Sequence, residues 1–368
     1  MHSSRPMSIS DLNGGAEDRH AQKTIKCLVW DLDDTLWQGK LLNGEARELK
    51  KGVAEVVRQL DERGILQSVA SKNDYAAAWP VVEAFGLAEF FLHPQISWAG
   101  KADAVRTIAE RLGIGLDTVA FIDDQAAERD EVAFYLPQVN VIDATEIPGL
   151  LDRAEFRLDV VTDEARMRRL MYRTDIARVE AEKSFTGSRG AFLSTLGMRM
   201  SILPAADGDL QRAEELTLRT NQLNTTGLTY SYEELEDLAR SPDHLLLVAK
   251  LEDRYGSSGI IGLALVETSA TIWTIRLLIM SCRVMTRGVG TVLLGHLLRK
   301  SANAGVRLRA SFVHTDRNRQ MYVTYKFAGF REVSQDAAGL LLEHDLKRIH
   351  PFPDYVKLVS ELDNALLD

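Results

Sequence analysis

The chain has 368 residues, of which 45% are hydrophobic and 26% are charged. This composition is typical of a globular protein, has room for about two ordinary domains and excludes extensive disorder. The net charge of −9 argues against nucleic acid as a general partner.

Residues 1–24 are polar and lack periodicity, which predicts a flexible N-terminal tail. This tail also lacks the apolar core of a signal peptide, and no apolar stretch reaches the roughly 20 residues that span a bilayer. We therefore expect a cytoplasmic location and no membrane partner. The two cysteines, Cys27 and Cys282, lie in no C-x-x-C or Cys/His pattern, so we expect reduced thiols and no structural zinc.

Between residues 25 and 150, short apolar runs alternate with amphipathic segments. Runs such as IKCLVW, ILQSVAS and TVAFID resemble buried strands, whereas ARELKKGVAEVVRQLDERG and KADAVRTIAERLG have helical periodicity. Such alternation indicates a mainly parallel sheet with helices on both faces. We predict a Rossmann-like α/β domain over residues 25–150, with its chemistry at the carboxyl ends of the strands.

The rest of the chain has a different order of elements. Residues 151–190 are charged and favour helix, which predicts a helical connector. In residues 191–350, a polar helical region precedes the apparent strands HLLLVAKLE, GIIGLALVE and ATIWTIRLLIMS, and a glycine-containing turn and a helix follow them. This order predicts an α+β domain, and we expect residues 351–368 to form a C-terminal helix.

Three aspartates follow the first apolar run, in IKCLVWDLDDTLW. Asp31 and Asp33 stand two residues apart at the predicted strand end, so both carboxylates can enter one crevice. Crowded carboxylates repel each other unless a cation neutralises them. Mg²⁺ is a hard cation that prefers oxygen ligands and suits such a pair. One carboxylate can then attack a phosphoryl group, while the other acts as general acid and base.

The other groups that phosphoryl transfer needs follow in order along the chain. Ser71 and Asn73 come after the run ILQSVA as candidate phosphate-binding residues, and Lys101 begins a predicted helix, where its charge can balance a phosphate. Asp123 and Asp124 follow TVAFI as candidate metal ligands. Taken singly, each group also has an ordinary explanation as a turn residue, a surface lysine or a helix cap.

Taken together, these motifs resemble those of the haloacid-dehalogenase superfamily of aspartate-nucleophile phosphatases. The resemblance implies that Asp31 is the nucleophile and Asp33 the general acid and base. It also implies that Ser71 and Lys101 hold the phosphate, and that the aspartates of the fourth motif complete an Mg²⁺ site with Asp31 and the backbone carbonyl of Asp33. Short insertions between the motifs indicate a capless, IIIC-type domain, which usually accepts bulky or macromolecular substrates. The matching residues are Asp31, Asp33, Thr35, Ser71, Lys101, Asp123 and Asp124.

Cys282 ends an apolar run and precedes a glycine-containing turn, in LLIMSCRVMTRGVGTVLLGHLL. Helix N-terminal amides and neighbouring arginines stabilise a thiolate, so Cys282 is a candidate nucleophile. The alternative is a buried structural cysteine. The turn Arg287-Gly288-Val289-Gly290 resembles the pyrophosphate-binding turn of GNAT acyltransferases, and YKFAGF (325–330) resembles their closing segment. Such a turn would hold the phosphates of coenzyme A or phosphopantetheine.

With the aspartate motifs, TNQLNTTG (220–227) and SCRVMTRGVG (281–290) resemble the FkbH-like family of glyceryl transferase/phosphatases that serve polyketide synthesis. The resemblance implies that Cys282 takes a phosphoglyceryl group from 1,3-bisphosphoglycerate as a thioester. The Asp31 site would then remove the remaining phosphate. The glyceryl group would pass to the phosphopantetheine thiol of an acyl carrier protein.

A polar block and a basic stretch supply candidate contacts for substrate or carrier. The polar block is Asn221-Gln222-Leu223-Asn224, and its amides either orient a substrate or only cap and tie the end of a helix. The stretch 283–331 is rich in lysine and arginine and has Asp316 as its single acidic residue, so it is either a solvated face or a surface for phosphate and an acidic carrier. The candidate residues are Asn221, Gln222, Asn224, Arg283, Arg287, Gly288 and Gly290.

Two other functions fit the sequence. The first is a plain Mg²⁺-dependent phosphatase whose second domain only binds a partner. The second is a catalytically silent scaffold that recruits a carrier protein, and the intact aspartate set argues against it.

Overall fold

The computed structural model describes residues 24–43, 48–157, 161–220, 223–337 and 339–359. The chain separates into two compact units between Arg173 and Thr174, within the predicted helical connector. The predicted flexible tail lies outside the described residues except for Thr24. Within the described ranges, no helix is both long and apolar enough to cross a membrane.

The first unit is built on a five-stranded sheet in which all neighbouring strands are parallel, in the order β3-β2-β1-β4-β5. Strands β1, β2 and β4 are buried along their whole length, as expected for strands covered on both faces. The α/β fold class predicted for this part of the chain is confirmed. Its strands are β1 (Cys27–Trp30), β2 (Leu66–Ser71), β3 (Gln95–Ile96), β4 (Val119–Asp123) and β5 (Asn140–Asp143).

Four α-helices lie between these strands in sequence, and 3₁₀ segments lie between the strands and after β5. The helix that follows β3 begins at Lys101, and its C-cap is Gly113, which adopts a left-handed conformation with φ 64°. Glycine tolerates this conformation without the steric cost of a Cβ atom. The α-helices are α1 (Val53–Glu62), α2 (Tyr75–Ala84), α3 (Lys101–Leu112) and α4 (Ala126–Tyr135), and the 3₁₀ segments are Leu41–Asn43, Ala88–Phe90, Leu116–Thr118, Ala144–Asp152 and Ala154–Phe156.

The strand order places β1 at the centre of this sheet. The chain first builds β2 and β3 on one side of β1 and then β4 and β5 on the other, so the order reverses between β1 and β4. Trp30 pairs with Ile122, and Asp31 and Asp123 therefore leave neighbouring strands at the same level. Ligand sites of open α/β sheets form in the crevice at such a reversal.

The second unit contains an eight-stranded mixed sheet in the order β11-β12-β10-β9-β8-β7-β6-β13. Neighbouring strands are antiparallel except for the pairs β9–β10 and β6–β13. This arrangement confirms the α+β class predicted for the second part of the chain. The strands are β6 (Met198–Pro204), β7 (His244–Asp253), β8 (Gly256–Glu267), β9 (Ile272–Met280), β10 (Arg307–Phe312), β11 (Arg331–Asp336), β12 (Gly339–His344) and β13 (Val356–Val359).

Six further α-helices complete the described chain, and the first of them crosses the boundary between the two units. Another 3₁₀ segment, Cys282–Arg287, follows β9. The helices are α5 (Asp163–Ser184), α6 (Arg189–Thr195), α7 (Asp207–Arg219), α8 (Tyr232–Arg240), α9 (Gly290–Asn303) and α10 (Arg319–Ala328).

Strand β13 lies where a C-terminal helix was predicted. Its residues pair in parallel with Met198–Ser201 of β6 and bury Val356 and Val359. The β-branched residues of VKLV suit this position beside the open edge of β6, so residues 356–359 correct the prediction. The remaining residues of the predicted helix, 360–368, lie outside the described chain.

Candidate active site

A buried cluster of charges occupies the crevice between β1 and β4. Lys101, at the start of α3, forms ion pairs with Asp31 directly after β1 and with Asp123 at the end of β4. Its Nζ atom lies 2.9 Å from Asp123 Oδ2, 2.9 Å from Glu128 Oε2 and 2.9 Å from the carbonyl oxygen of Ala70. The Lys101 side chain is only 1% exposed. The loop after β1, the end of β4 and the first turn of α4 thus bring three carboxylates around one ammonium group.

The pKa values of these groups reflect burial and mutual attraction. Burial raises the pKa of Asp31, and burial together with the charge of Asp31 raises the pKa of Asp123 to about 7. Burial by itself would lower the pKa of Lys101, but the carboxylates around it raise the pKa above its usual value. Burial opposes ionisation of Glu128, but the charges of Lys101 and Lys72 hold the pKa of Glu128 below its usual value.

The same cluster has the composition of a site for a hard divalent cation. Carboxylate oxygens of Asp31, Asp123 and Glu128 all lie within 4.8 Å of one another. Mg²⁺ prefers oxygen ligands and keeps several waters, and the cluster offers at least the one or two carboxylates that it usually takes. The three carboxylates outnumber the two ammonium groups beside them, Lys101 and Lys72, so the charge balance of the crevice also favours a cation. The residues therefore fit Mg²⁺.

Glu128 was not among the residues predicted from the sequence. This residue lies in the first turn of α4, five positions after Asp123, and it also forms an ion pair of 3.2 Å with Lys72. The signal that could have identified Glu128 is its position, because it is an acidic residue in the first turn of the helix that follows the strand carrying Asp123. Only the packing of α4 in the structure shows that the Glu128 carboxylate reaches Lys101.

Asp33 is held beside the cluster by three donors. Its Oδ1 accepts hydrogen bonds from Trp37 Nε1 at 2.9 Å and from the backbone N–H of Leu41 at 3.0 Å. Its Oδ2 accepts one from Asn73 Nδ2 at 3.1 Å, and the same amide lies 3.1 Å from Ser71 Oγ. The structure therefore joins the predicted acid/base, Asp33, to Asn73 directly and to Ser71 through the Asn73 amide.

Asn73 also presents an oxygen that the protein does not satisfy. Its Oδ1 atom is buried and makes no hydrogen bond to the residues that the structure describes. Buried polar atoms of this kind require a partner such as water, an ion or a ligand. The amide lies beside Asp33 and Ser71, where the phosphatase prediction places a substrate.

The remaining aspartates organise the loops around the crevice. Asp34 has φ 51°, and its Oδ1 accepts a hydrogen bond of 2.9 Å from the N–H of Gly39, so it stabilises the turn after β1. The backbone N–H of Asp124 donates to Thr35 Oγ1 at 3.0 Å, and the Thr35 hydroxyl lies 3.4 Å from Asp124 Oδ1. These contacts join the loops after β1 and β4, while the metal-binding role of Asp124 stays a prediction.

In the second unit, Cys282 begins the 3₁₀ segment that follows β9. It is partly exposed and packs against the apolar core, whereas Cys27 is fully buried in β1, where burial raises the pKa of its thiol. Met280 and Val284, on either side of Cys282, line a cavity of about 200 Å³. This cavity adjoins a more open one of about 490 Å³, and both are lined by Met285, Gly288 and Gln320.

Arg287 lies in a buried ionic network rather than on the surface. It is 3% exposed, forms ion pairs with Asp175 and Asp253, and donates to Ser258 Oγ at 3.0 Å. Burial lowers the pKa of Arg287, and the two aspartates oppose that effect. The two aspartates offset the charge of Arg287 within the unit, and its contact with phosphate or carrier stays a prediction. Arg283 Nη2 donates to the carbonyl of Ser258 at 3.2 Å.

The polar block after α7 is described only in part. Asn221 and Gln222 lie outside the described residues. Asn224 is buried, its Nδ2 donates to Leu228 O at 3.0 Å, and its Oδ1 accepts from two backbone amides of the same loop. These bonds support the interpretation in which Asn224 ties the loop rather than orients a substrate.

The glycine turn lines both cavities. Gly288 has φ 72°, and a Cβ atom built on it would lie 2.5 Å from Tyr355 Oη, so a larger residue would displace the C-terminal segment. Gly290 begins α9 and lines the smaller cavity. Backbone N–H groups at a helix start can bind anions, which leaves the predicted binding role of this turn open to test.

Residues 41–129 match the sequence family of haloacid dehalogenase-like hydrolases. Among curated proteins, none matches the sequence significantly. The N-terminal part of a Bacteroides fragilis protein, containing a phosphatase domain in complex with Mg, is 31% identical, and the alignment covers 35% of this chain and 40% of that chain with a TM-score of 0.29. The alignment thus spans less than half of that protein.

Acetyltransferases are also among the similar structures. The ribosomal-protein-S18-alanine N-acetyltransferase of Escherichia coli is 15% identical over 41% of this chain and 96% of its own, with a TM-score of 0.32. The loading GNATL domain of CurA from Lyngbya majuscula is 12% identical over 40% of this chain and 98% of its own, with a TM-score of 0.32. The family match and the crevice together show that the first unit contains a haloacid dehalogenase-like hydrolase domain, as the sequence predicts.

Proposed function

We propose that this protein is a bifunctional enzyme of the FkbH-like type, which removes a phosphate at the Asp31 site and transfers a glyceryl group through Cys282. The observation that carries the proposal is the buried cluster of Asp31, Lys101, Asp123 and Glu128, with Asp33 fixed beside it. Such a set supplies a nucleophile, an acid/base group, metal ligands and a cation for phosphoryl transfer.

In the phosphatase step, an oxygen of Asp31 forms a bond to phosphorus as the bond to the leaving oxygen breaks. Asp33 donates its proton to that leaving oxygen. Asp33 then takes a proton from a water molecule whose oxygen attacks the aspartyl-phosphate, which releases inorganic phosphate and restores Asp31. Mg²⁺ held by Asp31, Asp123 and Glu128 would offset the charge of the phosphoryl oxygens.

In the transferase step, the Cys282 thiolate attacks the acyl carbon of 1,3-bisphosphoglycerate. The carbon–sulfur bond forms as the bond to the phosphate oxygen breaks, and phosphate leaves with its electron pair. After the 3-phosphate has been removed, the thiol of a phosphopantetheine arm attacks the thioester as a thiolate and regenerates the Cys282 thiolate. The cavity lined by Met280 and Val284 supports this step, because these two residues stand two positions before and after Cys282 in the chain.

The test is to incubate the protein with 1,3-bisphosphoglycerate, Mg²⁺ and a holo acyl carrier protein and to weigh both proteins by mass spectrometry. We expect a glyceryl adduct on the carrier. Cys282→Ala should abolish loading, whereas Asp31→Asn should leave a phosphoglyceryl thioester on the enzyme. Cys27→Ala is the matched control, because this second cysteine is buried inside β1, and it should load the carrier normally. No glyceryl adduct with the wild-type protein would refute the transferase.

The second candidate function is a Mg²⁺-dependent phosphatase whose second unit only binds a partner. The burial of Arg287 among acidic residues favours it, because this arginine then contributes no charge to a substrate phosphate. Hydrolysis of an aryl phosphate that requires Asp31, without any adduct on Cys282 or on the carrier, would establish this function instead.

A further inference from the structure

Helix α10 presents different residues to the core, to the cavity and to the surface. Tyr325 is fully buried, and Met321 is buried at the wall of the smaller cavity. Gln320 and Thr324 line that cavity as well. On the exposed side of the helix, Val323 is 38% exposed and Phe327 is 78% exposed.

Helical spacing places the exposed apolar pair beside the cavity. Gln320, Val323, Thr324 and Phe327 follow one another at positions i, i+3, i+4 and i+7, which share one face of an α-helix. Val323 and Phe327 are therefore neighbours of the two residues that line the cavity. An exposed aromatic side chain at the rim of a cavity is typical of a contact surface, since aromatic residues supply much of the binding energy at interfaces.

The charge around this pair selects the partner. Between residues 316 and 332 the chain has four lysines and arginines and two acidic residues, Asp316 and Glu332, so this segment has a net positive charge. Arg319 and Lys326 are exposed on α10, and the Nζ atom of Lys326 lies 3.5 Å from Glu332 Oε1 in an ion pair. A basic surface of this kind attracts an acidic partner and repels a basic one.

We propose that Val323, Phe327, Arg319 and Lys326, here called the α10 face, dock an acidic carrier protein whose phosphopantetheine arm enters the adjoining cavities. This inference rests on the proposed transferase function. The shared lining of the two cavities supports it, because an open space of about 490 Å³ next to one of about 200 Å³ suits a linear arm. Gln320 lines both spaces and stands on the same face of α10.

The test compares a protein-bound acceptor with a free one. Glyceryl transfer is measured with a holo acyl carrier protein and with free 4′-phosphopantetheine, and the Michaelis constant for each acceptor is determined at low and high salt. The variants are Val323→Ser/Phe327→Ser and Arg319→Glu/Lys326→Glu. The matched control is Phe134→Ser in the first unit, since Phe134 is also 78% exposed.

We expect the Val323→Ser/Phe327→Ser variant to raise the Michaelis constant for the carrier at least about 10-fold, which is the loss expected for a central aromatic contact. The constant for free phosphopantetheine should stay within about twofold, as should both constants of the Phe134→Ser control. The Arg319→Glu/Lys326→Glu variant should weaken carrier use and remove most of its salt dependence.

Several results would overturn the docking proposal. If the apolar variant loads the carrier as well as the wild type, the α10 face is not the docking site, although the transferase function stands. If it loses transfer to free phosphopantetheine equally, its residues shape the cavity instead. If sedimentation shows a wild-type dimer that the variant dissociates, a second copy of the chain covers the face. If the wild type loads no carrier at all, the proposed transferase function fails as well.

Discussion

Replacing Lys101 by methionine tests the charge balance of the crevice. Methionine fills a similar volume but leaves the carboxylates of Asp31, Asp123 and Glu128 without the ammonium that all three contact. Removing one partner of a buried ionic cluster costs about 3–5 kcal/mol, because the remaining charges stay desolvated and unpaired. For a unit of this size, that loss lowers the melting temperature by roughly 6–20 °C.

The matched control is Lys72→Met. Lys72 contacts Glu128 at 3.2 Å and Glu131 at 3.5 Å, but its side chain is 34% exposed. An ion pair with this access to water contributes about 1 kcal/mol or less. The two variants therefore remove the same charge and share one partner, and they differ mainly in burial.

Tryptophan fluorescence during urea and thermal unfolding is a suitable assay. Four of the five tryptophans, Trp30, Trp37, Trp79 and Trp98, belong to the first unit, so the signal reports mainly on it. The Lys101→Met deficit should be smaller at pH 5.5 than at pH 8, because the freed carboxylates take up protons at lower pH. It should also shrink when Mg²⁺ is added. A Lys101→Met variant as stable as Lys72→Met in metal-free buffer would refute the reasoning.

Three further predictions concern Asp123, Gly329 and Asn318. The pKa of Asp123 is raised to about 7, so the free energy of unfolding of the metal-free protein should fall as pH rises from about 4 to 7. Calorimetry should show tighter Mg²⁺ binding at pH 7.5 than at pH 5.5, because the metal binds the ionised carboxylate. Equal affinities at the two pH values would contradict this prediction. Gly329→Ala should lower the free energy of urea unfolding by about 2–4 kcal/mol, because φ is 102° and the new Cβ would lie 2.8 Å from His344 Nε2. The control Gly305→Ala, whose Cβ would meet open space, should lower it by about 1 kcal/mol. Similar losses for the two variants would contradict the clash with His344. Asn318→Ala should cost about 2–3 kcal/mol by unfolding, since the buried amide donates to Asn224 O and Val313 O; a loss below about 0.5 kcal/mol would show that water replaces it.

The sequence by itself determined the two fold classes and most of the phosphatase crevice. Asp31, Ser71, Lys101 and Asp123 each stand at a strand end or a helix start, which local periodicity reveals. In a parallel sheet the carboxyl ends of all strands meet at one edge, so side chains that are far apart in sequence must converge there. The structure brings Asp31, Lys101 and Asp123 into contact, and Lys101 also contacts the carbonyl oxygen of Ala70, the residue before Ser71.

Other features were decided only by tertiary packing. The charge of Arg287 looks available in the sequence, but Asp175 and Asp253 neutralise it from 112 and 34 positions away. Glu128 joins the crevice because α4 packs beside β4, and VKLV becomes strand β13 because β6 offers an open edge. Periodicity reports only on a residue's local neighbours, whereas the partner of a charge or a strand edge depends on which distant segments the fold brings into contact.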